Sequence, residues 1–524
     1  MRVLVVTGRL AEKSVRRLVS ESSKDVDVLA LPVSVAAFIT PEYAAKALKA
    51  LRIRDYDLIL MPGAVRGDVS PVEAATGVPT FKGPLHAADL PLVLDLLGGV
   101  ELSKTVPASD LVRDAVRERA AAEVEEVDRK WREVLREHGG LVIGGEGYEV
   151  TVGRDFPMRV VAEIVNAPVL DAGAVQRRAR YYAAEGADII DIGMLAGSPM
   201  PEKIEGIVKA VKEAVSLPVS IDTLEPSEIE AAVAAGVDLV LSVDSGNLEE
   251  VASAVSEVPV VVLPSNMREG RLPRRAEERV AALRENIERA RALGVGKVIA
   301  DLVLEPPLHP GLMESMKAYQ LFRQMDGETP MLFGLGNAVE LIDVDSPGVN
   351  GLLTALACEV GADLLFVPEF SPKATGSVRE TVTAARMMFL ARRRGTVPKD
   401  LGIDLLILKE KRRREEPYDR SVEAGVEVIE AEEDQSFDWD RAGWFKIEID
   451  RERGLIIAAH FPHGGSDADV IIKGKEAREI YQTIIRRRLI SKLDHAAYLG
   501  KELEKAETAL RLGRSYVQDE RLFA

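Results

Sequence analysis

Between Val160 and Val367 the chain alternates short apolar runs with longer stretches whose apolar residues recur at helical spacing. The runs read VVAEIVN, DIIDIG, PVSIDT, DLVLSVD, PVVVLPSN, KVIADL, PMLFGLGN and DLLFVPE. Nearly all end in a polar residue, and a helix-compatible stretch follows each one. Near-continuous apolar strands separated by amphipathic helices predict βαβ units and a parallel sheet buried on both faces. Eight such units, over roughly 250 residues, suit a closed (β/α)8 TIM barrel. Chemistry in such barrels gathers at the strand C-termini. The pattern therefore predicts that Asn166, Asp191, Asp222, Asp244, Asp301 and Asn337 converge on one mouth.

The same reading organises the flanks. RVLVVTG, VDVLALPV and DYDLILMPG are strands, separated by the amphipathic stretches LAEKSVRRLVSES and PEYAAKALKALRI. This alternation predicts an N-terminal, doubly wound, flavodoxin-like α/β domain over residues 1–138. Its loops at Thr7-Gly8-Arg9, Pro62-Gly63-Ala64 and Arg66-Gly67-Asp68 are placed to line a crevice. No GxGxxG follows the first strand, so a dinucleotide site is disfavoured and a docking or capping role stands beside ligand binding. A charged helix from about residue 109 to 136 stops at Gly139-Gly140. YEVTVG then reads as a hairpin arm that closes the N-terminal end of a barrel domain spanning 139–397. Beyond the mixed charge run KEKRRREEPYDR, residues 398–524 predict a small α+β domain: GWFKIEID and LIIAAHF as a hairpin, then two helices.

Composition narrows the chemistry. A length of 524 residues allows about two to four domains, and 47% hydrophobic content supplies real cores. A formal charge of −17 disfavours general nucleic-acid binding, which needs a basic face. One cysteine, Cys358, excludes internal disulfides and thiolate metal sites, and its setting in GLLTALACEVGAD is that of a buried helix face. No run approaches the length of a membrane helix, and MRVLVVTGRLAEK reads as a first strand, so the expected location is the cytoplasm. Half the histidines, His460, His463 and His495, fall in the last domain. They are either ligands for a metal or cofactor, or ordinary hydrogen-bonded side chains.

GADIIDIG, then LPVSIDT, then AGVDLVLSVDSG resemble the pterin-binding family of barrels, which includes dihydropteroate synthases and corrinoid-linked pterin methyltransferases. With both flanking units, the whole chain looks like the archaeal dihydropteroate-synthase-related proteins. The resemblance implies a transferase that joins a reduced pterin-methyl diphosphate to an arylamine, in folate or methanopterin-type cofactor biosynthesis. It implies that Asp222 and Asp301 hold the pterin, with Ser242 and Asp244 near the family's fourth-strand contact; Asn337 and Asp191 are expected to line the same pocket as strand ends on the same mouth. A carboxylate suits this task because it accepts two bonds side by side from the N–H and NH2 edge of a pterin, with charge assistance. By the same resemblance Asn166 helps hold Mg2+ against the substrate diphosphate, and homodimers form through the later barrel helices.

The departures from that family are informative. Strand seven reads GLGNA, with no cation, and strand eight reads VPEFSPK, where Lys373 is the one candidate replacement for the family's cationic pair. A diphosphate needs cations or many N–H donors. GLGN with Asn337 is closer to the methyltransferase branch, in which an amide hydrogen-bonds a pterin ring nitrogen. Two other outcomes therefore stay open, namely pterin-dependent one-carbon transfer and pterin binding without turnover.

Overall fold

A strand buried on both faces is expected to be nearly all apolar, and the eight runs are, apart from Glu163, Asp191 and the polar residues near the strand ends. In a computed structural model they form one closed parallel barrel in chain order. It describes residues 1–411, 418–432 and 438–523, apart from 21, 23, 52 and 54. Residues 1–416 form one compact unit and 417–524 a second. Among the described residues no helix is long and apolar enough to cross a membrane.

The first unit starts with four parallel strands, β1 (Arg2–Gly8), β2 (Asp25–Leu31), β3 (Leu58–Met61) and β4 (Thr80–Lys82), in the order β2-β1-β3-β4. Alternation along β1 sends Leu4 and Val6 to one helix-covered face, and Val3 and Val5 to the other. That is the expected doubly wound layer. The long charged helix is in fact two, Ala108–Arg129 and Trp131–His138, which meet at Lys130. The bend turns Trp131, Val134 and Leu135 back onto the apolar cluster that already holds Val124, Val127, Phe389 and Leu401.

A two-stranded hairpin, β5 (Leu141–Ile143) with β6 (Val150–Val152), precedes the barrel. Ile143 and Val152 pack against the inward-facing Val161, Ile189, Leu239, Ile299, Leu332 and Leu364, so the hairpin plugs the barrel's N-terminal end. The barrel strands are β7 (Arg159–Ile164), β8 (Ile189–Gly193), β9 (Val219–Asp222), β10 (Leu239–Val243), β11 (Val260–Val262), β12 (Val298–Asp301), β13 (Met331–Gly334) and β14 (Leu364–Pro368). Because side chains alternate, the residues two places beyond these plugging positions face the same interior one layer nearer the C-terminal mouth. Glu163, Asp191 and Asp301 occupy that layer. A charged layer thus sits directly on an apolar one.

The second unit is a three-stranded antiparallel sheet, β15 (Trp444–Asp450), β16 (Leu455–Phe461) and β17 (Val470–Gly474), with helices Ala477–Arg486 and Leu493–Leu512 on it. The run VIIKG is too short to announce β17, which exists because it pairs with β16. His460 is buried, with Nδ1 2.6 Å from Asp469 and Nε2 3.1 Å from the Ala442 carbonyl. His495 Nδ1 lies 2.9 Å from Asp440, and His463 is exposed. Two of the three histidines are therefore hydrogen-bonded within the fold.

Asp440 is the anchor of that unit. It accepts bonds from the Ser491 amide and hydroxyl and from the Ala442 and Lys492 amides. Burial pushes its pKa up, but the Ser491, Ala442 and His495 donors outweigh burial and hold the carboxyl well below the usual carboxylate range. A depressed carboxyl stabilises the fold above its unfolded pKa, about 3.9, and loses that contribution as pH falls through the lower folded value. Asp440→Ala should cost about 1–3 kcal/mol, because several part-buried donors lose their charged acceptor. Denaturant unfolding followed by tryptophan fluorescence, which Trp439 and Trp444 report, measures it. An unchanged midpoint would refute the anchoring role.

Candidate functional site

The mouth is built from strand ends and the loops behind them. Asp222 ends β9, half-buried, and among the described residues no protein group donates to its carboxylate. It borders a cavity of about 370 Å³ whose lining includes Met194, Thr223, Asp244, Asn247 and Arg268. That volume suits a small organic ligand, typically about 300–1,000 Å³. Burial first, then the neighbouring Asp301 charge, pushes the Asp222 pKa up to about 7. Asp301, at the end of β12, is pushed up to about 6 by burial, with bonds from the Tyr319 hydroxyl (2.6 Å) and the Val303 amide (2.8 Å) opposing the rise.

Asp191 is fully buried on β8. Its Oδ1 accepts the Ser220 hydroxyl at 2.6 Å, while Oδ2 has no partner among the described residues. Burial, then the Asp222 and Glu163 charges, raise its pKa well above the usual value. Glu163, on β7, is pushed up to about 8 by burial, then by Asp222 and Glu340. Oxygens of Glu163, Asp191 and Asp222 lie within 4.8 Å of one another. Taking Asn166 as the polar end of the first run passes over Glu163, the penultimate residue of β7. Its signal is a lone charge inside the apolar run VVAEIV, on the inward parity of β7.

The other expected residues divide by what already holds them. Asp244 is 2% exposed, and its carboxylate accepts from the Gly246 amide (2.7 Å), the Ser265 hydroxyl (2.8 Å) and the Met267 amide (2.7 Å). It staples two mouth loops together. Ser242 is buried, and Asn337 is exposed with its amide nitrogen 2.8 Å from the Leu304 carbonyl. Lys373 is exposed beyond β14 and bonds the Ile342 carbonyl (2.6 Å) and Asp343 (3.1 Å). Arg268, which strand reading does not reach, brings a cation to the cavity from the loop after β11; it pairs with Glu250 at 2.6 Å.

Asn166 lies two residues beyond the end of β7, half-buried, with a positive φ of 54°. The acids close enough to share an ion come instead from the strands themselves, at Glu163, Asp191 and Asp222. A hard cation such as Mg2+ takes oxygen ligands of this kind.

A family model described as pterin binding enzyme matches residues 167–363, which carry most of the barrel. An uncharacterized protein of Methanocaldococcus jannaschii is 40% identical over the whole of this chain and 99% of its own length. The chain belongs to the archaeal dihydropteroate-synthase-related family. The flanks of this family member also match: residues 1–85 a family of unknown function (DUF6513), and residues 439–519 the PterinBD-DUF4346 family. A Ycf91-like protein of Nostoc sp. is 35% identical over 107 residues, 16% of this chain and 84% of its own. Among solved structures, dihydropteroate synthase of Xanthomonas albilineans with 4-aminobenzoic acid is 22% identical, covering 47% of this chain and 96% of that one (TM-score 0.38). A Yersinia pestis enzyme with a pterine–sulfa conjugate is 18% identical, covering 48% and 100% (TM-score 0.39). The archaeal dihydropteroate-synthase-related barrel is thus a pterin-binding enzyme fold.

Proposed function

We propose that the barrel binds a reduced pterin and joins its methylene carbon to an arylamine nitrogen with loss of diphosphate. The observation that carries the pterin reading is Asp222: a half-buried carboxylate at a ligand-sized cavity, without a donor among the described residues and with Asp301 beside it. A buried acceptor of this kind is costly unless a ligand supplies the donors. The N–H and NH2 edge of a pterin supplies two in parallel. Family membership supports the class of reaction. The amine lone pair forms the new C–N bond, the C–O bond to the diphosphate breaks, pyrophosphate leaves with the electron pair, and the amine releases a proton.

Catalysis of this type consists mainly of positioning and charge neutralisation. Arg268 is the cation that borders the cavity, and Arg271 and Arg274 line a second cleft of about 660 Å³ beside Asn266. These groups stand in for the cations missing after β13 and β14. Supplying a pterin-methyl diphosphate and an arylamine should release pyrophosphate in step with product. Asn337 favours a second reading, methyl transfer, because its amide nitrogen is held by Leu304 while its side chain stays exposed at the mouth. Demethylation of a methyl-pterin without pyrophosphate release would establish that reading and overturn the first.

A further inference from the structure

We propose that Glu163, Asp191 and Asp222 form a divalent-cation site on the floor of the barrel mouth, taking Mg2+ or Mn2+. The three come from successive strands: Glu163 pairs with Asp191, whose partner on β9 is Ser220, and Asp222 stands two residues beyond that, opposite Gly193. Their oxygens lie within 4.8 Å of one another. An ion with ligand oxygens at about 2.1–2.4 Å sets opposite oxygens about 4.2–4.8 Å apart and adjacent ones about 3–3.4 Å apart. The observed spread needs only side-chain adjustment to close on an ion.

A second observation, independent of the grouping, is the orphaned oxygen of Asp191. The residue is 0% exposed, Ser220 holds one carboxylate oxygen, and the other has no donor among the described residues. No Lys, Arg or His among the described residues pairs with any of the three acids. Buried carboxylates without donors or countercharge are strongly unfavourable, and a cation relieves all three at once. Ser220 then acts as a positioning residue that orients Asp191 from behind.

Gly193 is the third observation. A Cβ built there would lie 2.1 Å from Glu163 Oε1, so only glycine lets that carboxylate lie across β8 towards Asp222. The donor set is all oxygen, without sulfur or imidazole, which selects hard cations over zinc or copper. Asp222 borders the cavity as well, so one side of the site faces the ligand space. The assignment departs from Asn166 and does not depend on the pterin reading.

The test uses the metal alone. The full chain is titrated with Mn2+, and the electron paramagnetic resonance signal of free aqueous Mn2+ is followed, with Mg2+ as competitor. The expected result is one Mn2+ per chain, displaced by Mg2+. Glu163→Gln, Asp191→Asn and Gly193→Ala should each weaken binding about ten-fold or more, and Ser220→Ala about ten-fold. Glu230→Gln, an exposed acid on the helix Pro226–Ala234, should leave it unchanged. Absence of stoichiometric binding to the wild-type chain overturns the proposal. So does binding that the Glu163 and Asp191 variants leave intact. If metal binds as described but no pterin does, the site stands and the pterin reading fails.

Discussion

Asp222→Asn is expected to weaken binding of a reduced pterin by about 1.5–3 kcal/mol, the worth of hydrogen bonds to a charged acceptor. The substitution keeps the shape of the side chain. Among the described residues no donor relies on the carboxylate, so the fold loses little. In metal-free buffer, where cation ligation by Asp222 plays no part, what changes is the ligand-facing chemistry: one oxygen becomes an NH2 group that meets the pterin's own donors, and the charge assistance disappears. Asp301→Asn is the contrasting variant. Its carboxylate also serves Tyr319 and Val303, so that change should lower both affinity and stability. Titration calorimetry with a reduced pterin measures the first effect. An unchanged affinity for the Asp222 variant would sink the assignment.

The largest expected loss of stability is at Arg279. Its side chain is 0% exposed, and it pairs with Glu305 at 2.6 Å. It also donates to the carbonyls of Pro273, Leu302 and Val303 and to the Ser315 hydroxyl. Two of those carbonyls belong to the residues that directly follow Asp301 on the chain. Val303 has a φ of 62°, a left-handed conformation that is strained for a β-branched residue. Arg279 and the Asp301 carboxylate hold it there from opposite sides, one at its carbonyl and one at its amide.

Arg279→Met removes the charge, leaves Glu305 buried without its partner, and frees the strained turn. Breaking one member of a buried pair costs about 3–5 kcal/mol. Adding Glu305→Leu should recover part of that loss, since the uncompensated charge goes with it. Urea unfolding followed by circular dichroism reports both variants. A shift of less than about 1 kcal/mol for the single change would mean the pair is not the anchor of this turn.

How much of this was written in the chain alone follows from the range of the interactions. The barrel was legible because buried parallel strands must be apolar, and because an inward parity of two holds whatever the neighbours are. The same parity placed Asp191, Asp222 and Asp301 towards the mouth, and applied to β7 it also singles out Glu163. The doubly wound first layer and the hairpin of the last unit were equally local. β17 was not, since its pairing partner supplies what its short run lacks.

Which polar strand end is free for a ligand was decided only by the tertiary structure. Asp222 and Asp244 look alike in sequence, each closing an apolar run. Asp244 has its carboxylate filled by Ser265 and Met267, more than twenty residues away on the next strand's loop, whereas among the described residues no donor reaches Asp222. Lys373 is drawn to Asp343, and Arg268 reaches the cavity from a loop that the strand pattern ignores. Hydrophobic periodicity is a property of neighbours along the chain, so it can be read there. The vacancy of a carboxylate depends on donors that only folding brings within 3 Å, and no spacing along the chain records them.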